Sequence, residues 1–326
     1  KYNALFGCID KNGVVRNIVF DENNHITSYN YVGTIASINM GTIQECVNNA
    51  DITATNFAAG GICGFMVNGC GTIKDCENYG DVKAMTYASG ICGGSQSGKS
   101  ITTYNYLIED CLNSGKLSTT NGVGSAGIAG SYSGAIKNCN NNGNVDDTQG
   151  TSKSKLYTAG IVSCASFAVD IEGCYNRGAI SGVKNVGGIV GNVMKGDEAA
   201  TVIKNCRNDG SVSGQDMYVA GIVANSARNE GVVSVVSCTN NGEVTSTGTT
   251  EFIGNLRGNT NIALGEGNVI GAGLKALPLD PATETGIDNT NVNTGKTVNG
   301  VFLRNGQIVI VKNNKKYTIS GIEIAE

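Results

Sequence analysis

Apolar and polar positions follow one pattern, I-x-x-C-x-N-x-G-x-V, in seven copies that begin at Ile43, Ile73, Ile108, Ile136, Ile171, Ile203 and Val235. In the copy from Ile73, the residues Cys76, Asn78, Gly80 and Val82 stand two apart, with Glu77, Tyr79 and Asp81 between them. That is the alternation of a strand with one face buried. Ile73 and Cys76 are an odd number of residues apart, so a bend or bulge must lie between them if both point inward. A second block follows each copy after a variable gap, as in AAGGICG (Ala58 to Gly64), YASGICGG (Tyr87 to Gly94) and VGGIVG (Val186 to Gly191). It predicts a short apolar strand bounded by glycine. No helical periodicity is sustained.

A period of roughly 28 to 35 residues marks a stacked repeat, in which each unit buries its apolar face against its neighbours. The expected fold is all-β: a right-handed parallel β-helix, or solenoid, with about three short strands per repeat separated by corners. A worn copy precedes the first clear one, with Ile18 in the Cys place and Tyr31 to Ile35 as its second block. Leu5 to Gly7 resembles the second block of a still earlier coil. The solenoid should therefore have about eight coils over residues 5–258 and a length on the order of 40 Å. Residues 259–273 form a last, degenerate coil. We expect a repeat domain over 1–275, a linker over 276–299 that holds both prolines, and a C-terminal antiparallel β tail over 300–326. The tail predicts three strands turning at Asn305-Gly306 and Asn313-Asn314. Such a small β-hairpin or meander would cap the solenoid or serve as a sorting or anchoring element.

Composition agrees with a chain of corners. The 326 residues include 47 glycines, and only 15% are charged. Gly and Asn tolerate left-handed backbone at the turns a β-helix repeats in every coil. The net charge of −4, with no basic cluster, argues against a nucleic-acid partner. No apolar run is long enough to span a membrane as a helix. No signal peptide is seen; a leader removed from this chain fits the abrupt start in coil-like sequence.

The chain has twelve cysteines. Cys46, Cys76, Cys111, Cys139, Cys174, Cys206 and Cys238 hold one place in the repeat and should stack in a single inward column. Side chains on adjacent coils have Cβ atoms about 4.8 Å apart, longer than a disulfide wants. With His25 the only histidine and no C-x-x-C pair, a zinc site is not expected either. The reading is a ladder of free thiols acting as small core residues. Asn48, Asn78, Asn113, Asn141, Asn176, Asn208 and Asn240 should form a second, hydrogen-bonded amide ladder.

With these motifs the chain resembles the GLUG-motif repeat proteins, whose unit pairs V-G-G-L-V-G with G-x-I-x-N-C-x-N-x-G-x-V. Here the halves appear as Val186 to Gly191 and as Gly134 to Val145. The resemblance covers about residues 5–255. It implies a β-helical stalk or binding surface of the kind found in secreted and surface-anchored adhesin-like proteins of gut Bacteroidetes, and it carries over no catalytic residue.

Three patterns invite a site. Gly93 to Ser100 fits the phosphate-loop pattern G-x-x-x-x-G-K-S, but that loop needs a helix behind it and here a strand follows. Glu45, Asp75 and Asp110 precede Cys in three successive coils and could stack as a calcium site or the acid pair of a polysaccharide-cleaving enzyme. Later coils carry Asn138, Gly173, Asn205 and Ser237 there, so the column reads as merely polar. Tyr104, Tyr106 and Tyr132 fall in insertions at one corner and are the candidates for an exposed ligand-binding patch, against the plainer reading of corner packing. Tyr31, Tyr87, Tyr157 and Tyr218 share another repeat position and read as structural.

The expected function is a non-enzymatic, extracellular surface or adhesion module without cofactor or metal. It would be a monomer recognising a host or bacterial surface glycan or protein. The alternatives are a carbohydrate-active lyase or hydrolase and a structural spacer.

Overall fold

The computed structural model describes residues 3–279 except 99–100, 102, 150–155, 195–200, 230–231 and 249–250. It also describes the backbone of the strands between residues 300 and 324. The chain forms two compact units, Lys1–Glu284 and Thr285–Glu326. The first is an all-β parallel solenoid of about eight turns, and the described residues contain no helix. The second holds four antiparallel strands, Gly300–Arg304, Gln307–Lys312, Lys315–Thr318 and Glu323–Ile324. Three were expected from the sequence; the two expected turns fall outside the described residues.

One coil shows how the repeat works. It runs through Thr42–Gln44, Val47–Asn48, Asp51–Ala54, Ala58–Gly60 and Cys63–Met66, five short strands where the sequence suggested about three. Each pairs in parallel with its counterpart in the next coil. The difference has a simple cause. The run from Cys76 to Val82 is not one strand, because Gly80 turns the chain between Glu77–Asn78 and Val82–Ala84. Cys76, Asn78, Gly80 and Val82 are nevertheless all buried, so the alternation passes through the corner unchanged and cannot reveal it.

The bend expected between Ile73 and Cys76 is present. Asp75 adopts φ 52°, as do its equivalents Glu45 (53°), Asp110 (52°), Asn138 (53°), Gly173 (65°), Asn205 (55°) and Ser237 (52°). One residue in left-handed backbone resets the alternation, so that Ile73 and Cys76 both point inward.

The interior holds two apolar columns. Ile43, Ile73, Ile108 and Ile136 pack with the cysteines and with Ile62, Ile91 and Ile128 of the second block. Ile52, Val82, Leu117, Val145 and Ile180 pack with Ala59, Ala88 and Val186 in a separate column. The amide ladder and the first glycine of G-I lie between them. A Cβ at Gly127 would sit 2.3 Å from the Asn141 side chain and 2.1 Å from the Gly160 carbonyl oxygen. That closeness is why the second block demands glycine there.

The amide ladder ends in apolar residues. Phe20 stands opposite Asn48 in the first coil and Ile270 opposite Asn240 in the last. Leu274 packs against the first core and Leu277 against the second.

Candidate functional site

The seven repeat cysteines are all buried and free. Each Sγ donates to the carbonyl two residues earlier, at 3.1 to 3.5 Å. Burial pushes the Cys139 and Cys206 thiols up. Cys111 and Cys174 are buried as deeply, and the neighbouring thiols already give their one proton to backbone carbonyls. S–H is a weak donor, so burial decides and the column is neutral. Cys63 and Cys92 are buried in the same core, Cys164 is buried apart from it, and Cys8 is exposed. The asparagines form the expected amide ladder. Each Nδ2 donates to the next Oδ1 at 2.7 to 2.8 Å from Asn48 to Asn240. The same Nδ2 atoms donate to carbonyls two residues on, at 2.8 to 3.0 Å. Both columns are architecture.

The acid column has a backbone explanation. Glu45, Asp75 and Asp110 occupy the left-handed corner, where Asn, Asp and Gly are favoured. All three are exposed. Among the described residues no three His, Cys, Asp or Glu side chains are placed to share a metal ion. In the phosphate-loop pattern, Gly93 and Gly94 belong to the strand Cys92–Gly94, and the next described strand is Asn105–Glu109. Lys99 and Ser100 lie outside the described residues.

The tyrosine patch needs correcting. Tyr106 and Tyr132 are only 1% and 0% exposed, and their rings meet at 6.4 Å. The Tyr106 hydroxyl accepts the Gly69 N–H at 2.8 Å. Tyr104 is half-buried, stacked on Phe167 at 5.5 Å. These rings pack on one another or on Phe167 and form no exposed patch. An insertion in the sequence does not tell which way its rings turn.

Aromatic surface lies elsewhere. Tyr31, Tyr87, Tyr157 and Tyr218 do fall in one column, at the start of the second-block strand. At the N-terminal coils, Phe57 and Phe65 join it. Tyr31 meets Phe65 at 4.7 Å and Phe57 at 5.5 Å, and Phe57 meets Tyr87 at 5.7 Å. All four rings are half-buried. Tyr31 (φ 47°) and Tyr218 (φ 63°) hold left-handed backbone, as does Asn185 (51°) at the same place in its coil, so this corner too is set by the repeat. Tyr218 in turn packs on Phe252 at 4.9 Å. Beside the first cluster, Asn56 Nδ2 donates to Asn30 Oδ1 at 2.8 Å, and Tyr29 is 54% exposed. Ring faces bordered by amides can stack on the C–H face of a sugar and bond its hydroxyls. Phe57 and Phe65 escaped the sequence reading because they stand outside both repeat blocks. The shared place of the four tyrosines was the available signal.

Two further groupings are new. Lys74, Glu109, Lys137, Glu172 and Lys204 stand in register on successive coils, so charge alternates along one exposed column. Lys204 and Glu172 close to 3.1 Å. The residue two before each Cys could have shown this. Asp147 is a buried carboxylate that accepts from the Thr119 N–H and hydroxyl at 2.8 Å, the Ser125 hydroxyl at 2.9 Å and the Thr158 hydroxyl at 3.3 Å. Burial raises its pKa against those four donors.

Comparison of the chain with known protein families, with curated proteins and with solved structures finds no match.

Proposed function

We propose that this chain is a non-enzymatic binding module of the extracellular adhesion type, built from GLUG-like repeats and directed at a surface glycan. The observation that carries the reading is the half-buried ring cluster Tyr31, Phe57, Phe65 and Tyr87, bordered by Asn30 and Asn56. All four rings keep part of their surface toward solvent, beside polar groups, whereas Tyr106 and Tyr132 are buried whole. The repeat resemblance supports an exported protein, and a solenoid suits presentation of one long face to a ligand.

The test is a screen of glycans and host-matrix proteins with the whole chain, repeated with Phe57→Ala and Tyr87→Ser. A glycan that binds the parent and is weakened about tenfold by either substitution supports the reading, since stacking of one ring is worth on the order of 1 kcal/mol or more. Glycan binding that both substitutions leave unchanged removes this cluster as the site. A chain that binds nothing in the screen favours the spacer.

A further inference from the structure

The flat face formed by Val47–Asn48 and its counterparts bears a second polar cluster, spread over four coils. Asp209 is the hub. Arg207 meets it with Nε on Oδ1 at 2.8 Å and Nη2 on Oδ2 at 2.8 Å. Asn241 Nδ2 donates to Oδ1 at 2.8 Å, and the Tyr175 hydroxyl donates to Oδ2. Arg207 is thus neutralised, and Tyr175 is pinned by its hydroxyl. Arg177 lies over the Tyr175 ring at 3.7 Å and donates Nη1 to Asn142 Oδ1 at 3.3 Å. It is exposed, and the acceptor it meets there is a neutral amide.

We propose that Arg177, held flat by Tyr175 and Asn142, is the binding residue for the carboxylate or sulfate of an acidic polysaccharide. A guanidinium carries five N–H donors in a planar fork that matches an oxyanion in two bonds. Stacking on Tyr175 and the bond to Asn142 fix that fork in advance, which lowers the ordering cost of binding. The surrounding surface suits a sugar. Asn140, Asn142, Ser114, Thr239 and Asn241 stand on the same face, offering amides and hydroxyls to a hydroxyl-rich chain. Strands on this face repeat at about 4.8 Å, so a linear polymer laid along the axis meets a new pair of polar side chains at each coil. A nucleic acid fits less well, since it asks for several phosphate contacts where one guanidinium is free of a carboxylate. The site is separate from the ring cluster of the proposed function, so either can fail alone.

The test is titration calorimetry of the whole chain with three oligosaccharides of equal length: an oligogalacturonate, a heparin-derived fragment and a neutral gluco-oligosaccharide. A single-stranded oligonucleotide is the fourth probe. We expect one acidic sugar to bind more tightly than the neutral one, with affinity falling as salt rises. The oligogalacturonate and heparin arms distinguish carboxylate from sulfate. Arg177→Gln should weaken that binding about tenfold or more, one charge-assisted hydrogen-bond pair being lost, while the melting temperature holds. Tyr175→Leu should weaken it as well, by freeing the guanidinium. The proposal is overturned if neither acidic sugar binds better than the neutral one, if Arg177→Gln leaves acidic-sugar binding unchanged, or if the oligonucleotide binds more tightly than both.

Discussion

Asn141 shows at the scale of one residue how the repeat is enforced. Its side chain accepts from Asn113 and donates both to Asn176 Oδ1 and to the Gly143 carbonyl, all at 2.8 Å and all buried. Asn141→Ala leaves several buried polar groups short of a partner, and we expect a loss of about 3 kcal/mol in denaturant unfolding. A loss below about 1 kcal/mol would contradict the ladder's role. Asp209 carries a pH signature. Burial works against its charge, but Arg207, Tyr175 and Asn241 outweigh it and hold the carboxyl down to about 2. A depressed folded pKa contributes stability above the unfolded value near 4 and loses it as pH falls toward 2. The pair lies at the surface, with Arg207 exposed, so solvent screening should keep the effect under about 1 kcal/mol. Unfolding of the parent and of Asp209→Asn at about pH 5 and about pH 2.5 should show a larger advantage for the parent at the higher value. An equal gap at both would refute the assignment.

At the scale of the element, the strands were legible where residue type and spacing coincide. The cysteine and asparagine columns follow from one inward position per coil, and a small apolar side chain or an amide has few other uses there. The left-handed corner was legible only as a bend of unknown kind. Its occupants, Glu45 and Ser237 among them, looked like a polar column because the backbone, not a ligand, selects them. Glycine is selected by proximity as well. A Cβ at Gly115 would stand 1.9 Å from the Gly80 carbonyl oxygen, whereas at Gly273 it would meet nothing within 4 Å. Gly115→Ala must push two coils apart and should cost about 3 kcal/mol or more, while Gly273→Ala should stay within about 0.5 kcal/mol. Equal melting of the two variants would show that coil spacing does not set the glycine column. The alternating charges from Lys74 to Lys204 add register, since a slip by one coil would set like charges side by side.

At the scale of the whole molecule, the repeats make a stack whose interior is given to architecture and whose candidate sites lie on its outer faces. The interior could be read from the sequence because every coil repeats it. The candidate sites could not, because each occurs once: Phe57 and Phe65 on one edge, Tyr175 and Arg177 on another. Unique residues in a repeat protein give no column to read, and only the stacking of coils brings them together. The ends of the stack differ too. Leu5, Phe6, Val14 and Val19 are exposed in the first coil, whereas Leu274 and Leu277 pack against the cores at the last. We propose that these outer faces bind a glycan and leave it unchanged. The most direct measurement is to incubate the chain with each glycan it binds, with and without calcium, and to analyse the sugar afterwards by mass. We expect saturable binding with the glycan recovered intact. Shortened or unsaturated products, lost on substitution of Glu45, Asp75 or Asp110, would contradict it.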